Sequence, residues 1–199
     1  MPFVLAFAVA DWVAVAAGNK RAEYFFKPAV LGALIALAAT ADAPGAVIVA
    51  LVFSLAGDVF LMLPRNLFIF GLASFLVAHI AYFIAFRPIA DEWWIPAAFL
   101  LPVAVLLVLR MREGAGKLFP AVVAYMAAIL AMVVAATSEM WESEAIDSWP
   151  FAAAGALLFM TSDALIGWNR FVKPLAWAPV AIIVTYHLAQ MLLVASFTG

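Results

Sequence analysis

The fold predicted from the sequence is an all-α integral membrane protein with eight transmembrane helices. Of the 199 residues, 69% are hydrophobic and 11% are charged, and the mean hydropathy is +1.17. A soluble domain is roughly half apolar and a quarter charged, so this composition excludes a soluble globular protein. The chain contains no cysteine, which excludes disulfides, thiolate metal sites and a cysteine nucleophile.

The eight predicted helices are apolar runs separated by charged residues, proline and glycine. A helix needs about 20 apolar residues to cross the hydrocarbon core of a bilayer. The first run has no basic segment before it and no small-residue cleavage site after it, so we expect a retained helix and not a signal peptide. The turn sequence at 42–45 predicts a tight hairpin between the second and third helices. The predicted helices cover approximately residues 2–17, 27–41, 44–63, 66–86, 93–110, 118–137, 149–168 and 176–197 of one domain.

The connections between the predicted helices differ in charge. The odd-numbered connections carry nine of the ten basic residues, whereas the even-numbered ones carry Arg87 and seven acidic residues. Because basic residues are retained in the cytoplasm, both termini are predicted to lie outside. We expect the inner membrane of a bacterium, with the functional site toward the cytoplasm. The nine basic residues are Lys20, Arg21, Lys27, Arg65, Arg110, Arg112, Lys117, Arg170 and Lys173, and the acidic residues are Asp42, Asp91, Glu92, Glu139, Glu142, Glu144 and Asp147.

Two parts of the chain resemble each other and indicate an internal repeat. AGDVFLML (56–63) is followed by AHIAY (78–82), and FMTSDAL (159–165) is followed by YHLAQ (186–190). Upstream, FFKPAVLGALIAL (25–37) is similar to KLFPAVVAYMAAIL (117–130). Four helices copied once keep their direction, so the pattern predicts a parallel four-plus-four repeat with a site between the halves.

Asp58 and Asp163 occupy matching places in this repeat, each near the cytoplasmic end of an apolar helix. Ionisable residues inside a membrane usually face the interior of the helix bundle, find partners there and mark a functional site. A carboxyl group that keeps its proton in a dry site can donate it in acid-assisted bond cleavage. We therefore predict that Asp58 and Asp163 form a general acid–base pair. The competing interpretation, which applies more strongly to a third buried carboxylate, Asp11, is a hydrogen bond that only joins neighbouring helices.

Polar side chains also follow one face of each helix that comes after an aspartate. His79 and Tyr82 are three residues apart, and Gln190 follows Tyr186 by four, so each pair shares a helix face. Two histidines and two aspartates are ligands that zinc accepts. However, the chain has no HxxxH or HExxH pair, and the histidines are predicted to lie deeper than the aspartates. We therefore expect no cofactor, and a packing role is the alternative for each histidine.

The order of several motifs resembles that of the YhhN family of small membrane proteins. The motifs are Lys27-Pro28, Gly57-Asp58, FxxGLxSFLxAHxxY (68–82), SDxxxxxNRF (162–171) and TYxxAQ (185–190). The resemblance covers about residues 20–195, and its central block is the most specific part. One position departs from the family pattern, because His187 stands where a second tyrosine is expected. His187 is therefore a poor candidate for an essential residue.

The resemblance implies an intramembrane hydrolase that cleaves the vinyl ether bond of lysoplasmalogens, giving a fatty aldehyde and a glycerophospho-headgroup of choline or ethanolamine. Vinyl ethers hydrolyse by protonation at carbon, and water then attacks the resulting oxocarbenium ion. Two carboxyl groups divide this work in glycosidases, which pass through a similar cation. Asp58 and Asp163 are the implied catalytic pair, and the side chains implied to orient substrate or water are His79, Tyr82, Asn169, Tyr186 and Gln190. Lys27 and Arg170 are the candidates for the headgroup phosphate.

Other functions fit part of this pattern. A transporter or lipid-binding protein would also place a polar site between two helical halves, but it would need polar groups that reach both membrane faces. A haem- or metal-linked protein would use His79 and His187. An ester hydrolase would need a Ser–His pair or a metal, and no such motif is clear. The expected partners are a lysophospholipid and membrane lipids, not nucleic acid.

Overall fold

Eight α-helices account for most of the chain. The computed structural model describes residues 1–86, 89–141 and 148–198, and no strand occurs within these ranges. Arg87, Glu142, Glu144 and Asp147, which contribute to the charge pattern, lie outside them. The prediction of an all-α fold is confirmed. The helices are α1 (Pro2–Ala16), α2 (Lys20–Thr40), α3 (Gly45–Met62), α4 (Phe68–Ala85), α5 (Trp94–Ala115), α6 (Phe119–Ser138), α7 (Trp149–Phe171) and α8 (Ala178–Thr198).

Helix α2 begins seven residues earlier than predicted, at Lys20 and not at residue 27. The side chain of Asn19 accepts a hydrogen bond from the backbone N–H of Ala22 and so satisfies one of the free donors at the helix start. Within the first turns, Glu23 binds Lys20 at 2.7 Å and Lys27 at 3.1 Å. Capping and ion pairing at the three- and four-residue spacing of a helix extend α2 into a stretch that its charges alone mark as a loop.

Helix α7 ends at Phe171, three residues beyond the predicted end, and this changes the place of Asp163. Asp58 lies four residues before the end of α3, whereas Asp163 lies eight residues before the end of α7. At about 1.5 Å per residue, these spacings correspond to roughly 6 Å and 12 Å along the helix. The two aspartates therefore differ in their distance from the helix end, and both lie in the second half of their helices.

The helices pack in the cyclic order α1, α2, α3, α4, α6, α7, α8 and back to α1. Helix α5 stands outside this ring, against α6 and α7. The largest buried side chains at the centre of the ring are aromatic and include Tyr82 and Phe159, neither of which is exposed. The ring therefore encloses the inner faces of α3, α4, α7 and α8, on which the predicted site residues lie.

Six helical segments of the described chain are long and apolar enough to cross a membrane. They are Lys20–Thr40, Gly45–Met62, Phe68–Ala85, Asp91–Ser138, Trp149–Phe171 and Ala178–Thr198. The segment Asp91–Ser138 contains both α5 and α6, which pack against each other across a turn at Gly116, where φ is +50°. Helix α1 is apolar but has only 15 residues. The chain is thus an integral membrane protein.

Helix α5 is held against α7 by a close backbone contact. A Cβ atom added to Gly114 would lie 1.8 Å from the carbonyl oxygen of Phe171, whereas a Cβ at Gly32, inside α2, would meet nothing within 4 Å. Backbone cannot move aside as a side chain does. Only glycine therefore fits at Gly114 without separating the two helices.

We expect Gly114→Ala to lower the thermal unfolding temperature in detergent, with a destabilisation of about 1–3 kcal/mol, the usual cost of overpacking. The matched control is Gly32→Ala, which should leave the unfolding temperature unchanged or raise it, since alanine favours a helix by roughly 1 kcal/mol over glycine. Equal unfolding temperatures for the two variants would contradict the close contact between α5 and α7.

Candidate functional site

Asp163 projects from α7 toward α4 and α6 and contacts a side chain from each. The Tyr125 hydroxyl on α6 donates to its Oδ2 atom at 2.8 Å. On α4, His79 Nε2 lies 3.2 Å from the same oxygen, and both of these side chains are almost completely buried. The structure therefore brings together two of the predicted site residues, Asp163 and His79, which are 84 residues apart in the sequence.

The hydrogen bonds of His79 fix where its ring carries a proton. Nδ1 lies 2.6 Å from the backbone carbonyl oxygen of Phe75, and a carbonyl only accepts, so Nδ1 must donate. In a neutral ring, Nε2 then presents a lone pair to the Asp163 carboxyl group. The two groups are close, at 3.2 Å, but Nε2 has no hydrogen-bond partner among the described residues.

Asp58 has a different partner, on α8. The Tyr186 hydroxyl donates to Asp58 Oδ2 at 2.8 Å, and both side chains are buried. The charges of Asp11, Asp163 and Lys27 also act on the Asp58 carboxylate. Asp58 therefore accepts its hydrogen bond from a hydroxyl, whereas Asp163 also faces an imidazole.

Beside Asp58, a chain of neutral hydrogen bonds crosses the centre of the ring. Tyr82 donates to Gln190 Oε1 at 2.6 Å, and Gln190 Nε2 donates to the Ser54 hydroxyl at 3.0 Å. All three side chains are fully buried. Two of the predicted orienting residues, Tyr82 and Gln190, are thus joined to each other across α4 and α8.

Two phenylalanines connect the surroundings of the two aspartates. The Phe159 ring makes edge contacts with His79, with its centroid 4.6 Å away, and with Tyr186 at 5.5 Å. Phe75 contacts Phe159 at 6.2 Å and Tyr186 at 5.8 Å. The residue that faces Asp163 and the residue that binds Asp58 therefore pack on the same aromatic pair.

A narrow apolar cleft opens beside Asp163, with a cavity volume of about 40 Å³. Asp163 is the one carboxylate among its lining residues, and Tyr125 is its other polar group. The remaining lining residues are Leu61, Phe68, Leu72, Phe75, Met111, Val122, Met126, Ile129, Ile166, Gly167 and Phe171. They come from α3 to α7. The lining suits apolar groups beside a single carboxyl group, and the walls must move apart before the cleft can hold a whole hydrocarbon chain.

Three of the side chains on the cleft wall lie against glycines of neighbouring helices. Added Cβ atoms at Gly57, Gly71 and Gly167 would come within 2.6 Å of Phe75, 2.6 Å of Leu61 and 2.8 Å of Met111 respectively. A methyl group at any of these glycines would push a wall residue away from its present position. Glycine at these positions therefore keeps the wall back from the cleft.

Of the remaining predicted site residues, Asn169 and Arg170 lie at the end of α7 and Lys27 lies two turns into α2. Arg170 stacks on the ring of Phe68, which lines the cleft, with its guanidinium carbon 5.0 Å from the ring centroid. Lys27 binds Glu23 at 3.1 Å. The Asn169 side chain accepts from the backbone N–H of Leu175 at 2.6 Å and so braces the connection between α7 and α8. Arg170 therefore lies at the cleft, and the contacts of the other two are with the protein itself.

The two histidines lie in separate environments. His79 binds Phe75 and faces Asp163, whereas His187 accepts a hydrogen bond from Trp12 of α1 at 3.1 Å. Within the described ranges, no three histidine, cysteine, aspartate or glutamate side chains come together closely enough to hold a metal ion.

The sequence analysis missed Tyr125 and the phenylalanine pair. Tyr125 lies in KLFPAVVAYMAAIL. The similarity of this segment to residues 25–37 indicates a repeat but does not mark the tyrosine hydroxyl group. A tyrosine within an apolar helix is a signal for a buried hydrogen bond. Phe75 and Phe159 gave no comparable signal, since phenylalanine is ordinary in such helices.

The chain is similar in sequence to proteins named lysoplasmalogenases. The YhhN family model matches residues 22–197. The chain is 31% identical to human lysoplasmalogenase TMEM86A over 159 residues, 75% of this chain and 64% of that protein. It is 32% identical to human lysoplasmalogenase TMEM86B over 147 residues, 74% of this chain and 61% of that protein. It is also 31% identical to a lysoplasmalogenase of Mycobacterium tuberculosis over 194 residues, 90% of this chain and 72% of that protein.

The chain thus spans less than two thirds of the length of the two human relatives that it matches. No solved structure matches the chain.

Proposed function

Because the chain belongs to the YhhN family, we propose that it hydrolyses the vinyl ether bond of lysoplasmalogens, as the names of its relatives suggest. One observation carries the proposal: Asp163, with Tyr125 bound to it and His79 facing it, lies on the wall of an apolar cleft. A lysoplasmalogen is a single hydrocarbon chain with an acid-sensitive bond near its polar end. The cleft offers this molecule an apolar wall and a carboxyl group.

Asp163 is the general acid in this mechanism. The proton of the Asp163 carboxyl group is transferred to the alkene carbon that does not carry oxygen. The electrons of the double bond form the new C–H bond, and the adjacent carbon becomes an oxocarbenium ion. The Asp163 carboxylate that remains is next to the cation and stabilises it in a site of low dielectric constant. Tyr125 holds the carboxylate in place throughout.

Asp58 is the group that orients water. Water adds to the oxocarbenium carbon and gives up a proton, which restores the protonated state of the site. The hemiacetal then breaks its bond to the glycerol oxygen, giving an aldehyde and a free hydroxyl group. Asp58 suits this step because Tyr186 positions its carboxylate and because its charge counters that of the cation. Tyr82 and Gln190 support it through their own hydrogen bonds.

Arg170 is the group that binds the headgroup phosphate. It follows Asp163 by seven residues on α7, about two helical turns or roughly 10 Å along the same face. The glycerol carbons between a phosphate and a vinyl ether span part of this distance, and the long arginine side chain spans the rest. Phe68 holds the guanidinium group beside the cleft. Lys27, the second predicted phosphate ligand, is occupied by Glu23.

The orientation follows from the basic connections. We place all eight helices across the inner membrane of a bacterium, with both termini outside and Arg170 at the cytoplasmic side. The four-plus-four repeat agrees with the crossed pairing of the aspartates: Asp58 on α3 binds Tyr186 on α8, and Asp163 on α7 faces His79 on α4. An exchange of the two halves maps one pair onto the other.

Asp163→Asn should lower the rate of fatty aldehyde release from alkenyl-lysophospholipid by about 10²–10⁴-fold, because an amide supplies no acidic proton. Asp58→Asn should also slow it. The matched control is Asp42→Asn, the same chemical change in an exposed turn where φ is +53°, a conformation that asparagine adopts readily. Full aldehyde release by both Asp58→Asn and Asp163→Asn would rule out the carboxylate mechanism.

Isotope labels in the same assay identify the broken bond. In D₂O, the aldehyde should carry one deuterium on the carbon next to the carbonyl, and in H₂¹⁸O the released glycerol hydroxyl should keep its ¹⁶O. An acyl-lysophospholipid should release no aldehyde. If the protein binds or moves the alkenyl lipid between leaflets without releasing aldehyde, the transporter alternative replaces the hydrolase.

Arg170→Gln should raise the KM for the lysophospholipid by about two- to fivefold and leave kcat nearly unchanged, since exposed ion pairs contribute roughly 0.2–1 kcal/mol. Arg112→Gln is the control, because Arg112 also stacks on an aromatic ring, that of Phe119, which is not among the residues lining the cleft. An equal change in KM for both variants would show a general charge effect and not a phosphate site.

Single cysteines test the orientation, since the chain has none of its own. A membrane-impermeant maleimide should label Asp91→Cys in intact cells and Lys117→Cys only after the cells are permeabilised. Both positions are exposed in the structure, so access to them depends on the membrane alone. Labelling in the reverse order would invert the proposed topology.

A further inference from the structure

Besides the polar groups around Asp58 and those around Asp163, another polar cluster lies between α1 and α8. It contains Asp11 and Trp12 of α1 and His187 of α8. The indole N–H of Trp12 donates to His187 Nδ1 at 3.1 Å, so a neutral His187 ring carries its proton on Nε2. Neither Asp11 nor His187 is exposed at all.

The polar atoms of this cluster are not satisfied by the protein. Both carboxyl oxygens of Asp11 and the Nε2 atom of His187 lack a hydrogen-bond partner among the described residues. Nε2 and Asp11 Oδ2 are 4.0 Å apart, too far for a direct hydrogen bond. A buried polar group without a partner is costly, and the site has a donor and acceptors facing one another. A water molecule between them would satisfy both atoms, because it would accept from Nε2–H and donate to Oδ2.

A row of charged side chains leads from the protein surface toward the cluster. Lys20, whose side chain is 69% exposed, binds Glu23 at 2.7 Å, and Glu23 binds Lys27 at 3.1 Å. The side chains of Glu23 and Lys27 are mostly buried, and α2 packs against both α1 and α8, which carry the cluster. Charged groups of this kind keep water with them where the surrounding helices are apolar.

We propose that Asp11, Trp12 and His187 hold an internal water molecule, and that the row Lys20–Glu23–Lys27 connects this water to the surface and to Asp58. Water then reaches Asp58 by a path between α1, α2 and α8. The lipid reaches Asp163 through the cleft that α3 to α7 line. The use of this water in hydrolysis rests on the proposed function. The water site itself does not.

Hydroxyl-radical labelling of the full chain in lipid nanodiscs tests the water site. Short X-ray pulses form radicals from water in place, so the oxidation of a side chain rises when a water molecule is next to it. Because Trp12 is partly exposed, the readout is the difference between proteins: oxidation of Trp12 should fall in Asp11→Leu and in His187→Phe, which fill the site with apolar atoms. The exposed Trp93 and Trp177 are internal controls and should be oxidised equally in all three proteins.

Lys27→Met tests the path separately. It should also lower Trp12 oxidation if the row supplies the water, and unchanged oxidation would overturn the path. Equal Trp12 oxidation in the unchanged protein, in Asp11→Leu and in His187→Phe would overturn the water site.

If either of these variants fails to fold, an experimental structure of the unchanged protein decides the question. Density within hydrogen-bonding distance of both His187 Nε2 and Asp11 supports the site, and direct contact between the two side chains overturns it. Because labelling needs no turnover, the expected fall in Trp12 oxidation, without aldehyde release by the unchanged protein, would refute the proposed function alone.

Discussion

A carboxylate inside an apolar helix must obtain its hydrogen bonds from other helices, because the same helix has used its own backbone donors and water is scarce there. Asp163 meets this requirement with Tyr125, and Asp58 meets it with Tyr186. Leaving a buried hydrogen-bonding group without its partner costs roughly 1–3 kcal/mol, and more for a charged group. These contacts therefore also determine how the helices pack. They fix which of α3, α4, α6, α7 and α8 face one another at the centre of the ring.

The aromatic pair Phe75 and Phe159 gives the two carboxylates different surroundings. Each aspartate accepts from its own tyrosine, Tyr125 or Tyr186. His79, which faces Asp163, and Tyr186, which donates to Asp58, both pack on the Phe159 ring. Two carboxyl groups with different partners differ in how readily they hold a proton, and this difference is what separates an acid from a base in a two-carboxylate mechanism.

Hydrolysis of a membrane lipid brings together two reactants of opposite polarity. The described residues place an apolar cleft on one side of the ring, between α3 and α7, and a row of charged side chains on the other, along α2. Gly57, Gly71 and Gly167 hold the cleft wall back, while Lys20, Glu23 and Lys27 bring charge inward. Separate apolar and charged regions of this kind can admit a hydrocarbon chain and water by different routes, whereas a single apolar entrance would exclude water.

The sequence by itself determined the class of the protein and the residues with chemical potential. Its hydropathy requires helices in a membrane, and an aspartate in such a helix stands out whatever its contacts. The charged residues before position 27 led to a predicted start of α2 that is too late. The Asn19 cap and the ion pairs of Glu23 continue the helix through this basic stretch. Only the tertiary structure decided that Tyr125 binds Asp163, that Lys27 binds Glu23 and that α5 stands outside the ring. Such contacts depend on how side chains far apart in the chain pack together, and no local pattern records that.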